Sequence, residues 1–255
     1  IRLSSAFVGH LRTGLCQVAI LSSVIFAGIS GSAVADASAL GRIFIPEMER
    51  QGYRRDFSAA LIAAAAVIGP IIPPSLPMII YGVAAEASIG DLFIGGVIPG
   101  LLMAAALMVM VRAIAIRRNL PRVPFPSGRD VWFAFKGAFW ALLCPVVLFG
   151  GMMSGYFTAT ESAAVAAFYA LIVGFGYGEF RLRDLPRIVL DTVETTGVMM
   201  ALVMSAALLA YALSLSRLPQ EFGGWLTQTV TSPIMYLILV NLILLVVGCF
   251  MEAIA

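Results

Sequence analysis

Charged side chains divide this chain into long apolar runs. Between consecutive charges lie residues 13–35, 57–85, 92–111, 137–160, 195–216 and 222–251, each of 20 residues or more. About 20 apolar residues carry a helix across the hydrocarbon core of a bilayer. Residues 162–178 make a further run of 17, at the lower limit of that length. The reading is an all-α polytopic membrane protein embedded in a lipid bilayer.

Loop charge then orients the segments. Basic residues cluster at 42–55, 112–136 and 181–187, whereas the linkers 86–91, 156–161 and 221–231 hold no Lys or Arg. Cytoplasmic loops are the ones enriched in Lys and Arg. With the clusters inside, the runs alternate outward and inward from residue 57 to the end without conflict.

The first run breaks this scheme. Arg12 precedes it and Arg42 follows it, so both ends prefer the cytoplasm, and residues 28–32 (GISGS) interrupt it. A helix is expected over residues 15–27 and a second run over 33–46. A re-entrant hairpin over residues 11–52, entering and leaving on one side, fits better than a single span. Irregular backbone survives at membrane depth only where protein or a water-filled cavity covers it, which makes the hairpin a functional candidate.

The segment 56–86 is interrupted as well, by Gly69, Pro70, Pro73, Pro74 and Pro77 near its middle. Proline removes a backbone donor and clashes with the preceding turn, so two half-helices joined by an unwound stretch are expected. Residues 91–217 supply further membrane and interfacial helices. Within them, 181–193 and 130–140 read as amphipathic pieces lying in the interface, or as the ends of long tilted spans. Residues 232–255 read as the start of a second hairpin. Five crossings separate it from the first, which inverts its topology, and both carry glycine followed by an acid: Gly31 to Asp36, and Gly248 to Glu252. Inverted repeats with discontinuous helices point to the binding site of a secondary transporter.

Composition narrows the functional classes. Sixty-one per cent of the 255 residues are hydrophobic and 12% are charged, about half the charge of an ordinary soluble domain. The net charge of +2 and the scatter of the basic residues exclude a nucleic-acid surface. Cys16, Cys144 and Cys249 sit in apolar runs without CxxC spacing and read as small packing residues. The chain begins with Ile1 and stops inside an apolar run, so it is expected to be a fragment.

Asp36 is the sharpest candidate. An acid in a membrane segment is costly and functional by default; it attracts a cation, caps the second hairpin helix, or does both. Glu252 invites the same pair of readings. Ser30 and Ser32 flank Gly31 at the hairpin tip, where hydroxyls and unwound carbonyls suit Na⁺, or where the serines satisfy loop backbone. Gly69, Pro73 and Ser75 lie in the second irregular stretch. The sodium ligands expected are Ser30, Ser32, Gly69 and Ser75. Thr158 and Glu161 read as the start of a helix rather than a site.

Two other classes compete. Residues 28–31 match the GxSG pattern of rhomboid-type intramembrane serine proteases, but that chemistry needs a base beside the serine, and the single histidine, His10, precedes it. A passive channel calls for charged rings or a filter loop, and neither is visible. No P-loop pattern is present, so no enzymatic or ATP-driven activity is read.

Residues 28–48 (GISGSAVADASALGRIFIPEM) and 68–82 (IGPIIPPSLPMIIYG), with 157–174 and 248–255, resemble the large membrane subunit of tripartite ATP-independent periplasmic (TRAP) transporters. The resemblance implies an elevator mechanism, no cofactor, and Na⁺ as the coupling ion. It also implies a bacterial inner-membrane location and two partners: a small membrane subunit of Q type and a periplasmic binding protein of P type. The implied substrates are organic acids such as C4-dicarboxylates or sialic acids. By motif, Ser30, Gly31, Ser32 and Asp36 belong to the first hairpin site, Gly69, Pro73 and Ser75 to the facing unwound helix, and Gly248 and Glu252 to the second hairpin. A stand-alone Na⁺- or H⁺-coupled carboxylate carrier is the alternative.

Overall fold

The computed structural model describes residues 2–9, 14–118, 128–179, 181–230 and 232–249, and every regular element among them is helical. The chain divides into two compact units, residues 1–180 and 181–255. The first holds α1 (Arg2–Val8), α2 (Gly14–Ser30), α3 (Ala33–Arg50), α4 (Arg55–Ala66), α5 (Leu76–Ala84), α6 (Ile89–Arg118), α7 (Gly128–Met153) and α8 (Ala159–Tyr177). In the second, a 3-10 turn (Leu182–Asp184) leads into α9 (Leu185–Leu215), followed by α10 (Leu218–Thr229) and α11 (Pro233–Gly248).

The first interruption is shorter than the sequence suggests. α2 continues through Gly28 to Ser30, and the amide of Gly31 still donates to the carbonyl of Ala27 at 3.3 Å. Gly31 then turns left-handed, with φ +60°, a conformation open to glycine because it has no Cβ. Ser32 is extended and caps α3 by accepting from the amide of Ala35. One left-handed residue and one cap end the first helix and start the next. α3 also runs past Pro46 to Arg50. The buried Phe44 and Met48 flank the proline, and their packing holds the helix across the lost donor.

α2 and α3 fold back on each other. Cys16, near the start of α2, and Tyr53, just beyond α3, are buried in the same cluster, while Ser30 meets Asp36 at the other end. Their inner faces pack with α4 and α6 into one core that includes Ile20, Leu40, Phe44, Leu61, Ile68 and Val111. Gln17 on α2 donates from its side-chain amide to the carbonyl of Met108 on α6 at 2.9 Å. Ser22 on α2 donates to Ser4 on α1 at 2.9 Å, with both side chains buried.

α7 and α8 form a second pair. The Tyr169 hydroxyl donates to the carbonyl of Trp140 at 2.8 Å, and that of Tyr177 to the carbonyl of Gly137 at 3.3 Å. α8 opens with a complete capping box between Thr158 and Glu161, as the sequence suggests, and closes at Gly178 with φ +71°.

Both amphipathic pieces are continuous with the apolar helices they adjoin, α7 and α9, as the tilted-span reading expects. The linker assigned to residues 221–231 is a correction: most of it is helical, in α10. Among the described residues, four helical stretches are long and apolar enough to cross a membrane: Ile89–Ile114, Val131–Met153, Ala159–Tyr177 and Leu182–Leu215.

Candidate ion-binding site

The second interruption separates α4 from α5 over residues 67–75. The amides of Gly69, Ile71 and Ile72 turn back onto the carbonyls of Ala66 and Ile68 at 2.9 to 3.0 Å. Pro70, Pro73 and Pro74 have no amide to donate, and the Pro73–Pro74 peptide bond is cis. Ser75 is buried and ends the break. It accepts from the amide of Met78, which caps α5, and gives its own proton to the carbonyl of Pro70. None of the described hydrogen bonds ends on the carbonyls of Gly69, Ile71, Ile72, Pro73 or Pro74.

The two interruptions meet. A Cβ added to Gly31 would lie 2.5 Å from the carbonyl oxygen of Pro74 and 3.4 Å from the amide nitrogen of Leu76. A Cβ added to Gly69 would lie 2.5 Å from Oδ2 of Asp36. Each break therefore presents a glycine where the other approaches closest, and a side chain at either position would hold them apart.

Asp36 lies at the centre of this junction and is fully buried. Its Oδ1 accepts the Ser30 hydroxyl. Its Oδ2, facing Gly69, has no hydrogen-bond partner among the described residues. An unpaired buried carboxylate oxygen is expensive to keep, and it calls for a cation or a donor at that point. The capping reading of Asp36 is corrected here. Ser32 is the cap, and Asp36 stands within the first turn of α3, where the helix dipole favours an acid.

Ser30, Gly31, Ser32, Asp36, Gly69, Pro73 and Ser75 are thus brought to one place, with Pro73 buried inside the break. Ser32 and Ser75 are engaged as caps, and Ser30 is bonded to Asp36. The oxygens left free are Oδ2 of Asp36 and the carbonyls of the break, a hard set suited to an alkali cation. Both α3 and α5 begin at this junction, so two positive helix ends converge on it. Gly248 closes α11 in the second unit, with open space around it, and Glu252 lies outside the described residues.

Two contributors escaped sequence reasoning. Gly96 and Gly100 of α6 back the break. A Cβ on Gly96 would collide with the carbonyl of Ile71, and one on Gly100 with the side chain of Ile72. Their four-residue spacing (GVIPG) is the close-packing signature of membrane helices and was open to recognition.

A family profile described as "Tripartite ATP-independent periplasmic transporter, DctM component" matches residues 1–255. This chain belongs to the DctM family. It is a transporter-permease family rather than an enzyme family. The chain is 41% identical over 253 residues to the C4-dicarboxylate TRAP transporter large permease protein DctM of Pseudomonas aeruginosa, covering 99% of this chain and 59% of that protein. It is 41% identical over 253 residues to the sialic acid TRAP transporter large permease protein SiaM of Vibrio cholerae, with the same coverage. It is 40% identical over 251 residues to the 2,3-diketo-L-gulonate TRAP transporter large permease protein YiaN of Escherichia coli, covering 98% of this chain and 59% of that protein. The chain therefore spans about 59% of the length of these DctM relatives.

Proposed function

We propose that this chain is the core of the large permease subunit of a TRAP-type secondary transporter in a bacterial inner membrane. It takes up an organic acid in symport with Na⁺. The substrate is a C4-dicarboxylate, a sialic acid or a similar carboxylate, delivered by a periplasmic binding protein of P type, and a small membrane subunit of Q type completes the assembly. The observation that carries this reading is the contact of the two breaks, with the free oxygen of Asp36 turned toward Gly69. Sodium binds that oxygen and the unbonded carbonyls. Its charge and the positive ends of α3 and α5 offset the cost of holding an anionic substrate in low dielectric.

The remaining features follow the same reading. The α2–α3 hairpin is re-entrant, α11 begins an inverted second hairpin, and the loaded domain crosses the membrane as an elevator against a fixed scaffold. Relatives named for a dicarboxylate, a sialic acid and a keto sugar acid support a carboxylate as the common chemistry.

The test uses full-length permease reconstituted with its partner subunits. Asp36→Ala and Ser30→Ala lower sodium-dependent uptake and raise the sodium concentration it needs. Unchanged sodium dependence in both variants counts against the site. Single cysteines at positions 12 and 50 react from the same face of the membrane, and labelling from opposite faces removes the re-entrant hairpin.

A further inference from the structure

α6 carries a row of oxygens that the site above does not use. Asp91, Gly95 and Pro99 follow at four-residue spacing in α6 and share one helix face. All three line a broad cavity of about 580 Å³, wide open on one side, that also reaches Ser88, Gly96 and Ile71. Pro99 has no N–H, so the carbonyl of Gly95 loses its helical donor. Nothing lies within 4 Å of a Cβ built on Gly95, which leaves that side of the helix open. Toward the helix break, the carbonyl of Ile71 faces Gly96 and receives none of the described hydrogen bonds. At the mouth, Asp91 is exposed and its carboxylate joins none of the described ion pairs. A neighbouring cavity of about 530 Å³, opening beside Thr158, shares Ser88 and Asp91 with it.

We infer that this cavity is the route by which a monovalent cation reaches the helix break from the aqueous face at the α5–α6 linker. Asp91 captures the ion at the mouth. The carbonyls of Gly95 and then Ile71 replace part of its water shell as it descends, and Ile71 stands two residues beyond Gly69, the partner of Asp36. The remaining lining is mostly apolar, so the ion meets oxygen at these steps and little that would hold it. The inference rests on the proposed sodium coupling and adds to it a path on the α6 side of the break, away from the hairpin tip.

The experiment uses the reconstituted full-length permease in which accessible cysteines, among them Cys144 and Cys249, are replaced by serine. A Gly95→Cys variant is exposed to a cationic, membrane-impermeant methanethiosulfonate reagent. It reacts, and Na⁺ slows the reaction whereas choline does not. Asp91→Asn, at an exposed position where folding is spared, slows uptake at sub-saturating sodium by about five-fold, the local enrichment lost with one charge ~4 Å from the arriving ion in water. Gly95→Cys labelling that ignores sodium, together with ordinary sodium dependence in Asp91→Asn, overturns the route. Uptake that needs no sodium in the unsubstituted protein overturns the coupling itself. Sodium-dependent uptake with an unreactive cysteine at position 95 sinks the route alone.

Discussion

The contact between the hairpin tip and the broken helix can be tested by adding one methyl group. Gly31 and Gly52 both have positive φ, +60° and +85°, and placing alanine in that region costs about 1–2 kcal/mol at either position. Their surroundings differ. Nothing lies within 4 Å of a Cβ on Gly52, whereas one on Gly31 falls 2.5 Å from the carbonyl oxygen of Pro74. That is about 1 Å short of the ~3.5 Å at which non-bonded atoms attract. The obstacle is backbone, so no side-chain rotation relieves it, and the tip must withdraw from the break by a similar amount. A displacement of about 1 Å at a reacting centre can cost about 100-fold in rate. Gly52→Ala is therefore expected to lower the melting temperature by about 2–8 °C and to leave uptake near normal. Gly31→Ala is expected to melt lower still and to lose most sodium-driven uptake. Thermal unfolding in detergent and uptake into proteoliposomes read the two effects separately. Equal uptake by the two variants at equal sodium would refute a site built on this contact.

Two further variants probe the frame around the site. Gly100→Ala sets a methyl against the side chain of Ile72 and is expected to cost about 1–3 kcal/mol as overpacking, whereas Gly137→Ala, with open space around it, gains up to ~1 kcal/mol of helix stability. Opposite shifts in melting temperature are the expected result. Thr158→Ala removes the N-cap of α8 and both of its bonds to Glu161; a loss of about 1 kcal/mol is expected, read as a lower melting temperature with unchanged sodium affinity.

The two helix breaks were legible because they depend on residue types with few other uses in an apolar run. Glycine between serines, and three prolines within five residues, cannot continue a helix. Their extents were less clear. Gly28 looked like part of the break, but a glycine inside a packed helix costs only about 1 kcal/mol, and α2 keeps it. α10 was missed because the two glycines of LPQEFGGWLTQT, each costing about 1 kcal/mol in a helix interior, hid the helical spacing of Leu218, Phe222, Trp225 and Leu226. The seat of Asp36 against Gly69 was out of reach. The two residues come from different segments, and no local pattern states which glycine an acid will face.

The half-buried bond from Gln17 to Met108 bears on how this unit can deform. Pulling α2 away from α6 would strand the Gln17 amide in an apolar interior, at a cost of about 1–3 kcal/mol, while the Met108 carbonyl keeps its helical donor. α1 is fastened to α2 through Ser4 and Ser22, and α7 to α8 through two tyrosines. The surface between these groups is greasier: a Cβ built on Gly28 would lie 3.4 Å from the ring of Pro145, and Phe93 meets Phe149 edge to face at 5.9 Å between ring centres. Hydrocarbon surfaces shear without leaving a polar atom stranded. If this unit slips internally, the seam should open along α7, with the hairpin, the broken helix and α6 travelling as one block.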